Sequence, residues 1–275
     1  MYTAKKGENG EARPVTLTTL AKMKAEHEKI ACLTAYDASF ARLVDDAGAD
    51  VVLVGDSLGM VIQGHPTTVP VSVADIIYHC RAVARGLRRA WLIADMPFMS
   101  YSTPEKALSN AARLMAEGGA SMVKLEGGSI QVETVRYLAD RGVPVCAHIG
   151  LTPQFVHKLG GFRVQGRDKA AAQQMERDAL ALQEAGADIV LMECVPAPLA
   201  GRITGKLSVP VIGIGAGPET DGQILVLYDV LGVTSGHKPR FAKNFMTAGG
   251  GAGQAAAAYV SAVKDGSYPA PEHCF

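Results

Sequence analysis

The chain has 275 residues, 48% of them hydrophobic and 20% charged, a globular composition that excludes wholesale disorder. Lys plus Arg (27) balance Asp plus Glu (27), so the basic footprint of a nucleic-acid binder is missing. No apolar run approaches the roughly 20 residues of a membrane-spanning helix, and five cysteines without a CxxC pair argue against a disulfide framework or a zinc ribbon.

A reducing compartment, the cytoplasm, is the simplest setting. Residues 1–15 contain Lys5, Lys6, Glu8 and Glu11 but no apolar stretch. They read as a flexible start without a secretory signal, and 16–275 reads as one catalytic domain. Ile30–Thr34 is the first predicted strand. The stretch Asp46-Ala-Gly-Ala-Asp-Val-Val-Leu-Val-Gly-Asp56 then introduces a repeated plan: helix end, glycine, apolar strand, acid. The plan recurs from Glu117 to Glu126 and from Glu184 to Glu193. Its glycine suits a left-handed helix terminus, and its near-continuous Val, Ile and Leu suit a parallel strand buried on both faces.

Between these copies, Ser72-Val-Ala-Asp75 opens a helix with a capping-box pattern and an apolar stripe at Ile77, Cys80, Ala84 and Leu87. Trp91–Ala94 is a strand. Ser102-Thr-Pro-Glu105 opens the next helix, with proline in its first turn. Val143–Ala147 and Val209–Ile214 are further strands, and Asp168 caps a helix running to Ala185. Gln223–Leu227 reads either as an eighth strand or as a helical turn. Repeated βα steps at this length predict an α/β, single-domain (β/α)8 TIM barrel of parallel strands. A doubly wound open sheet is the alternative if Gln223–Leu227 is helical.

Two connections are long, Ser57–Val71 and Gly150–Arg167. Both follow strand C-terminal ends, the catalytic face of a barrel. At those ends stand Asp56, Asp95, Glu126, His148 and Glu193, and strand alternation puts Lys124 on the same side as Glu126. Clustered carboxylates need compensation. A hard divalent cation such as Mg2+ supplies it, and a 2-oxo acid would chelate that cation through two oxygens. An acid left off the metal is free to act as base.

Each residue also has a plainer reading. A strand-end acid is often a helix cap, Lys124 could be an internal salt-bridge partner, and His148 could be a core histidine. Asp56 falls one residue later after its glycine than Glu126 and Glu193 do, which on strict alternation points it to the other face. Gly213-Ile-Gly-Ala-Gly217 lacks the G-x-G-x-x-G spacing, because Pro218 stands where the third glycine is due. His65, His79 and His157 read as surface or loop histidines. Cys32, Cys80, Cys146 and Cys194 read as small core residues. Met96, Phe98 and Met99 suit either a pocket or core packing. On the residues alone, a Lys124 Schiff-base aldolase, a magnesium-dependent lyase or phosphonomutase, and a non-enzymatic binding module remain open.

A set of segments narrows the choice. Leu33-Thr-Ala-Tyr-Asp37, Gly55-Asp-Ser-Leu-Gly-Met-Val-Ile-Gln-Gly-His65, Ala94-Asp-Met-Pro-Phe98, Val123-Lys-Leu-Glu-Gly127, His148-Ile-Gly-Leu-Thr-Pro153, Gly161-Phe-Arg-Val-Gln-Gly166 and Tyr268-Pro-Ala-Pro-Glu-His273 follow one another in order. Together they resemble the 3-methyl-2-oxobutanoate (ketopantoate) hydroxymethyltransferase family over residues 16–275. The resemblance implies a (β/α)8 barrel that transfers a hydroxymethyl unit from 5,10-methylenetetrahydrofolate to 3-methyl-2-oxobutanoate through a Mg2+-stabilised enolate. The product, 2-dehydropantoate, belongs to pantothenate biosynthesis.

Carried over by position, Asp56 and Asp95 match magnesium ligands, and Glu126 matches the third acid of that site, acting through water. Asp56, Ser57, Asp95 and Lys124 match the substrate site, with His148 beside it, and Glu193 matches the catalytic base. The family also implies a homo-oligomer, often a decamer. Folate-contact residues are not assigned by it; Phe155, Phe162 and Arg163 in the second long connection are candidates for stacking and for pairing with the folate carboxylate.

Overall fold

Eight strands alternate with helices: β1 (Ile30–Thr34), β2 (Val51–Val54), β3 (Trp91–Asp95), β4 (Met122–Glu126), β5 (Val145–Gly150), β6 (Ile189–Glu193), β7 (Val211–Ile214) and β8 (Gly222–Leu225). The computed structural model describes residues 13–234 and 238–275. Its strands pair in sequence order, all parallel, and β8 closes on β1. The expected (β/α)8 barrel therefore forms, and the open-sheet alternative is excluded. Its closing pairs run from Ile30↔Gly222 to Leu33↔Leu225. The ambiguous Gln223 segment is thus strand to Leu225, and a short helix, Leu227–Val230, follows it.

The strand sequences explain the closure. β1, β2, β4 and β8 are buried along their whole length, because side chains fill the barrel on one face and helices cover the other. β5 and β7 each begin directly after a proline, Pro144 and Pro210, two residues later than expected. Proline has no N–H to give to the ladder. At its other end β5 runs on to Gly150, so His148 lies inside a strand rather than just beyond one.

Helix starts follow their cap residues. Ser72 and Asp75 form the expected capping box of helix Val73–Gly86. Asp168 caps Lys169–Glu184 through the N–H of Ala171. Thr103, one residue after Ser102, caps Pro104–Ala116, with Pro104 where no N–H is needed. The buried face of Val73–Gly86 is Ile76, Ile77, Cys80, Val83 and Gly86; Ala84 and Leu87, expected on it, are only half-buried. Close packing at Gly86 turns that face: a Cβ there would collide with the Ala38 carbonyl and lie 2.7 Å from Ala41 Cβ.

Residues 1–12 of the expected N-terminal segment lie outside the described residues. Val15, its last residue, is buried, and its N–H donates to Arg89 O at 2.8 Å. All five cysteines are free, and Cys32, Cys80, Cys146 and Cys194 are buried as expected. No helix among the described residues is long and apolar enough to cross a membrane. His79 is not a surface or loop residue. It lies half-buried on helix Val73–Gly86, with Nδ1 2.6 Å from Tyr36 O.

Candidate active site

Parallel strands in a closed barrel bring all their C-terminal ends to one mouth, and the register sets which side chains meet there. Asp95 is level with Lys124, Glu126 with His148, and Gly150 with Glu193. The contacts form one unbroken row. The N–H of Asp56 donates to Asp95 Oδ2 at 2.8 Å. Asp95 Oδ1 is 2.8 Å from Lys124 Nζ, an ion pair lying off the hydrogen-bond direction. Lys124 Nζ reaches His148 Nδ1 at 3.3 Å, and His148 Nε2 lies 3.4 Å from Glu193 Oε2. An ammonium has only donors, so in this contact Nδ1 accepts from Lys124, which leaves the ring proton on Nε2, buried without a hydrogen-bond partner.

Asp56 reaches this row because it is not in a strand. β2 ends at Val54, two residues earlier. The alternation that would turn its side chain away does not operate there, and the concern raised by its spacing is removed. Gly55 makes the approach possible: a Cβ at this position would lie 2.9 Å from Ser57 Oγ and 3.3 Å from Asp95 Oδ2. Ser57 Oγ shares a 2.9 Å hydrogen bond with Tyr36 Oη. Gly150 does the same for the opposite wall. It has φ +91°, and a Cβ on it would collide with the Glu193 carbonyl.

Charge at the mouth is unbalanced. Asp56, Asp95 and Glu126 are 4%, 2% and 1% exposed, and Lys124 is buried among them. The strand-entry end of the barrel is different: Asp50 there receives both Arg89 at 3.0 Å and Lys264 at 2.6 Å. Burial, with Asp95 and Glu126 nearby, pushes the Asp56 carboxyl well above its usual range. Glu126 is pushed up to about 7, chiefly by burial, with Lys124 opposing. Burial favours a neutral Lys124, but Asp95, Glu126 and Asp56 override it and hold the ammonium above its ordinary value. Burial and then Lys124 lower His148, keeping it a neutral imidazole. Glu193 stands apart, its side chain 15% exposed at the rim of the row.

The donor set is oxygen-rich and suits a hard cation. Glu126 Oε1 is buried without a hydrogen-bond partner, an arrangement that a cation would relieve. No three His, Cys, Asp or Glu among the described residues are already arranged as a metal cage. Lys124 and Gln154 hold the oxygens in its place. Mg2+ does not require such a cage, since it keeps several waters and binds through one or two carboxylates.

Gln154, which sequence reasoning passed over, is part of this site. It is 2% exposed, in the single 3-10 turn Pro153–Phe155 that opens the second long connection. Its length was the available signal. Phe155 in the same turn is half-buried, while Phe162 and Arg163 are exposed further along. In the glycine-rich turn after β7, a Cβ on Gly215 would lie 2.7 Å from Phe241 Cδ1 and 3.0 Å from Phe275 Cε2. Gly215 makes room for these aromatic rings, while Gly213 and Gly217 face Thr220 and Ala197. Met96 is fully buried, and Phe98 and Met99 are exposed.

A family model described as ketopantoate hydroxymethyltransferase matches residues 14–271. The 3-methyl-2-oxobutanoate hydroxymethyltransferase of Alkalilimnicola ehrlichii is 60% identical over 263 residues, 96% of this chain and 95% of that protein. The enzyme of the same name from Shewanella frigidimarina is 59% identical, covering 95% of this chain and 98% of its own. Among solved structures, a phosphonopyruvate hydrolase aligns with a TM-score of 0.60 at 17% identity, over 79% of this chain and 83% of that one. The phosphoenolpyruvate phosphomutase of Streptomyces platensis subsp. rosaceus aligns at 0.59 with 15% identity, over 78% and 82%. Identities this low establish a shared barrel and no shared chemistry. The full-length match and the high identity of the named relatives decide the family: the chain belongs to the ketopantoate hydroxymethyltransferases and is a transferase.

Proposed function

We propose that the chain transfers a hydroxymethyl unit from 5,10-methylenetetrahydrofolate to 3-methyl-2-oxobutanoate, giving 2-dehydropantoate, with Mg2+ as cofactor. The observation that carries this reading is the unbroken row from Asp56 through Asp95, Lys124 and His148 to Glu193, in a chain whose relatives bear that activity in their names.

Asp56 and Asp95 would hold the cation, with Glu126 reaching it through water. When bound, the ion polarises the 2-oxo and carboxylate oxygens of the substrate and so acidifies its C3–H. Ser57 and the Lys124 ammonium bind the substrate carboxylate, and Asp56 and Asp95 would hold the cation beside it. Glu193 takes the C3 proton. Its carboxylate lies at the rim of the row, with Oε2 3.4 Å from His148 Nε2. The buried Lys124 ammonium offsets the negative charge that develops on the substrate oxygen. The resulting carbon nucleophile then attacks the methylene supplied by the folate, whose release is the cofactor's own chemistry.

The Schiff-base alternative is disfavoured by geometry. A lysine nucleophile must be neutral, and Lys124 is ion-paired to Asp95 with Glu126 4.0 Å away. The test is product formation from the two substrates with metal, abolished by EDTA. A covalent adduct trapped by borohydride, with activity insensitive to EDTA, would overturn the reading.

The folate would approach over the Gly150–Arg167 connection, where Phe155 or Phe162 could stack on the ring system and Arg163 could meet a folate carboxylate. Removing a charge-assisted hydrogen bond costs about 1.5–3 kcal/mol, so Arg163→Ala should raise the folate KM by about tenfold or more. An unchanged folate KM would remove Arg163 from that role.

A further inference from the structure

We propose that Gln154 is a positioning residue: its amide and backbone clamp one oxygen each of Asp56 and Glu126, so that the other oxygen of each is presented to the cation. The inference rests on the reading that these acids serve a metal.

The contacts use nearly everything a buried glutamine offers. Its Nε2 donates to Asp56 Oδ2 at 2.9 Å and to Met96 O at 2.9 Å. Its Oε1 accepts from Tyr101 Oη at 2.5 Å. Its backbone N–H donates to Glu126 Oε2 at 3.0 Å. Tyr101 Oη in turn accepts the Glu126 N–H at 3.3 Å, which closes the circuit. These partners fix the amide orientation. Turned over, Oε1 would face two oxygen acceptors and Tyr101 would lose its own.

The circuit determines what is left over. Glu126 Oε1 remains buried with no hydrogen bond, 3.4 Å from His148 Nδ1 and 4.0 Å from Lys124 Nζ. The clamp is also neutral, as the site requires. A glutamate would add a further negative charge beside three buried carboxylates, and a lysine would supply a cation of its own in competition with the metal. Partners that orient metal ligands are typically worth 10–100-fold in metal affinity.

The test compares wild type with Gln154→Met, which keeps the length and the backbone donor but loses the amide. Mn2+ binding is measured by calorimetry and folding by thermal unfolding. The expected result is a protein that still unfolds cooperatively, with a midpoint lowered by the buried partners left unpaired, and Mn2+ affinity weaker by about 10–100-fold. A folded Gln154→Met that binds Mn2+ as wild type does would overturn the clamp. Should that variant fail to fold, Tyr101→Phe frees the amide to turn and is expected to weaken Mn2+ in the same direction by less; wild-type affinity there would overturn the clamp equally. If wild type itself binds no Mn2+, the metal reading fails, and a crystal structure of the folded variant decides the clamp separately. A displaced Asp56 carboxylate would support it, and an unmoved one would end it.

Discussion

Glu193→Gln is expected to lower kcat by about 10²–10⁴-fold while leaving Mn2+ affinity near that of wild type, because a positioned general base is worth that much. The substitution keeps shape and a hydrogen-bond acceptor for His148 but removes the group that takes the proton. The separation of the two effects follows from position. Asp56, Asp95 and Glu126 are deeply buried around Lys124, whereas Glu193 lies beyond His148 at the end of β6, 15% exposed and with no direct contact to those three acids. An acid serving only as a salt-bridge partner would show itself in unfolding rather than in turnover. Turnover within about tenfold of wild type would remove Glu193 as the base.

Lys124→Met is expected to destabilise the metal-free protein by about 3–5 kcal/mol, the cost of breaking a buried ion pair by deleting one partner. The substitution preserves the aliphatic stem and removes the only ammonium in contact with Asp95 and Glu126 among the described residues. Divalent metal should restore part of the loss, since it replaces the missing positive charge. Urea unfolding with and without Mn2+ reads both effects. Equal stability of the variant and wild type would mean that the acids share their charge with something other than Lys124.

The sequence made the barrel and most of the site legible because both follow from short-range rules. Helix end, glycine, apolar run and acid repeat along the chain, and each copy became a helix–strand step with its acid at the mouth. The parts that were misread depend on contacts between distant segments. Asp56 escaped strand alternation because the ladder stops at Val54, which depends on the pairing of β2 with β3. Gln154 has no pattern of its own; its importance comes from Asp56, from Met96 and Tyr101 in the connection after β3, and from Glu126, three segments far apart in sequence. The family resemblance placed Asp56 in the site where periodicity argued against it, and the end of β2 at Val54 is the physical reason that periodicity does not apply.

Central to the proposed reaction is a cation, held by the acids at the mouth, that loosens one carbon-bound hydrogen of the substrate. Incubating the protein with 3-methyl-2-oxobutanoate in D2O, without folate, measures this by NMR as loss of the C3 proton signal. Exchange that requires Mg2+ or Mn2+, stops with EDTA and is lost in Glu193→Gln is the predicted result. Exchange that proceeds equally well in EDTA would contradict it.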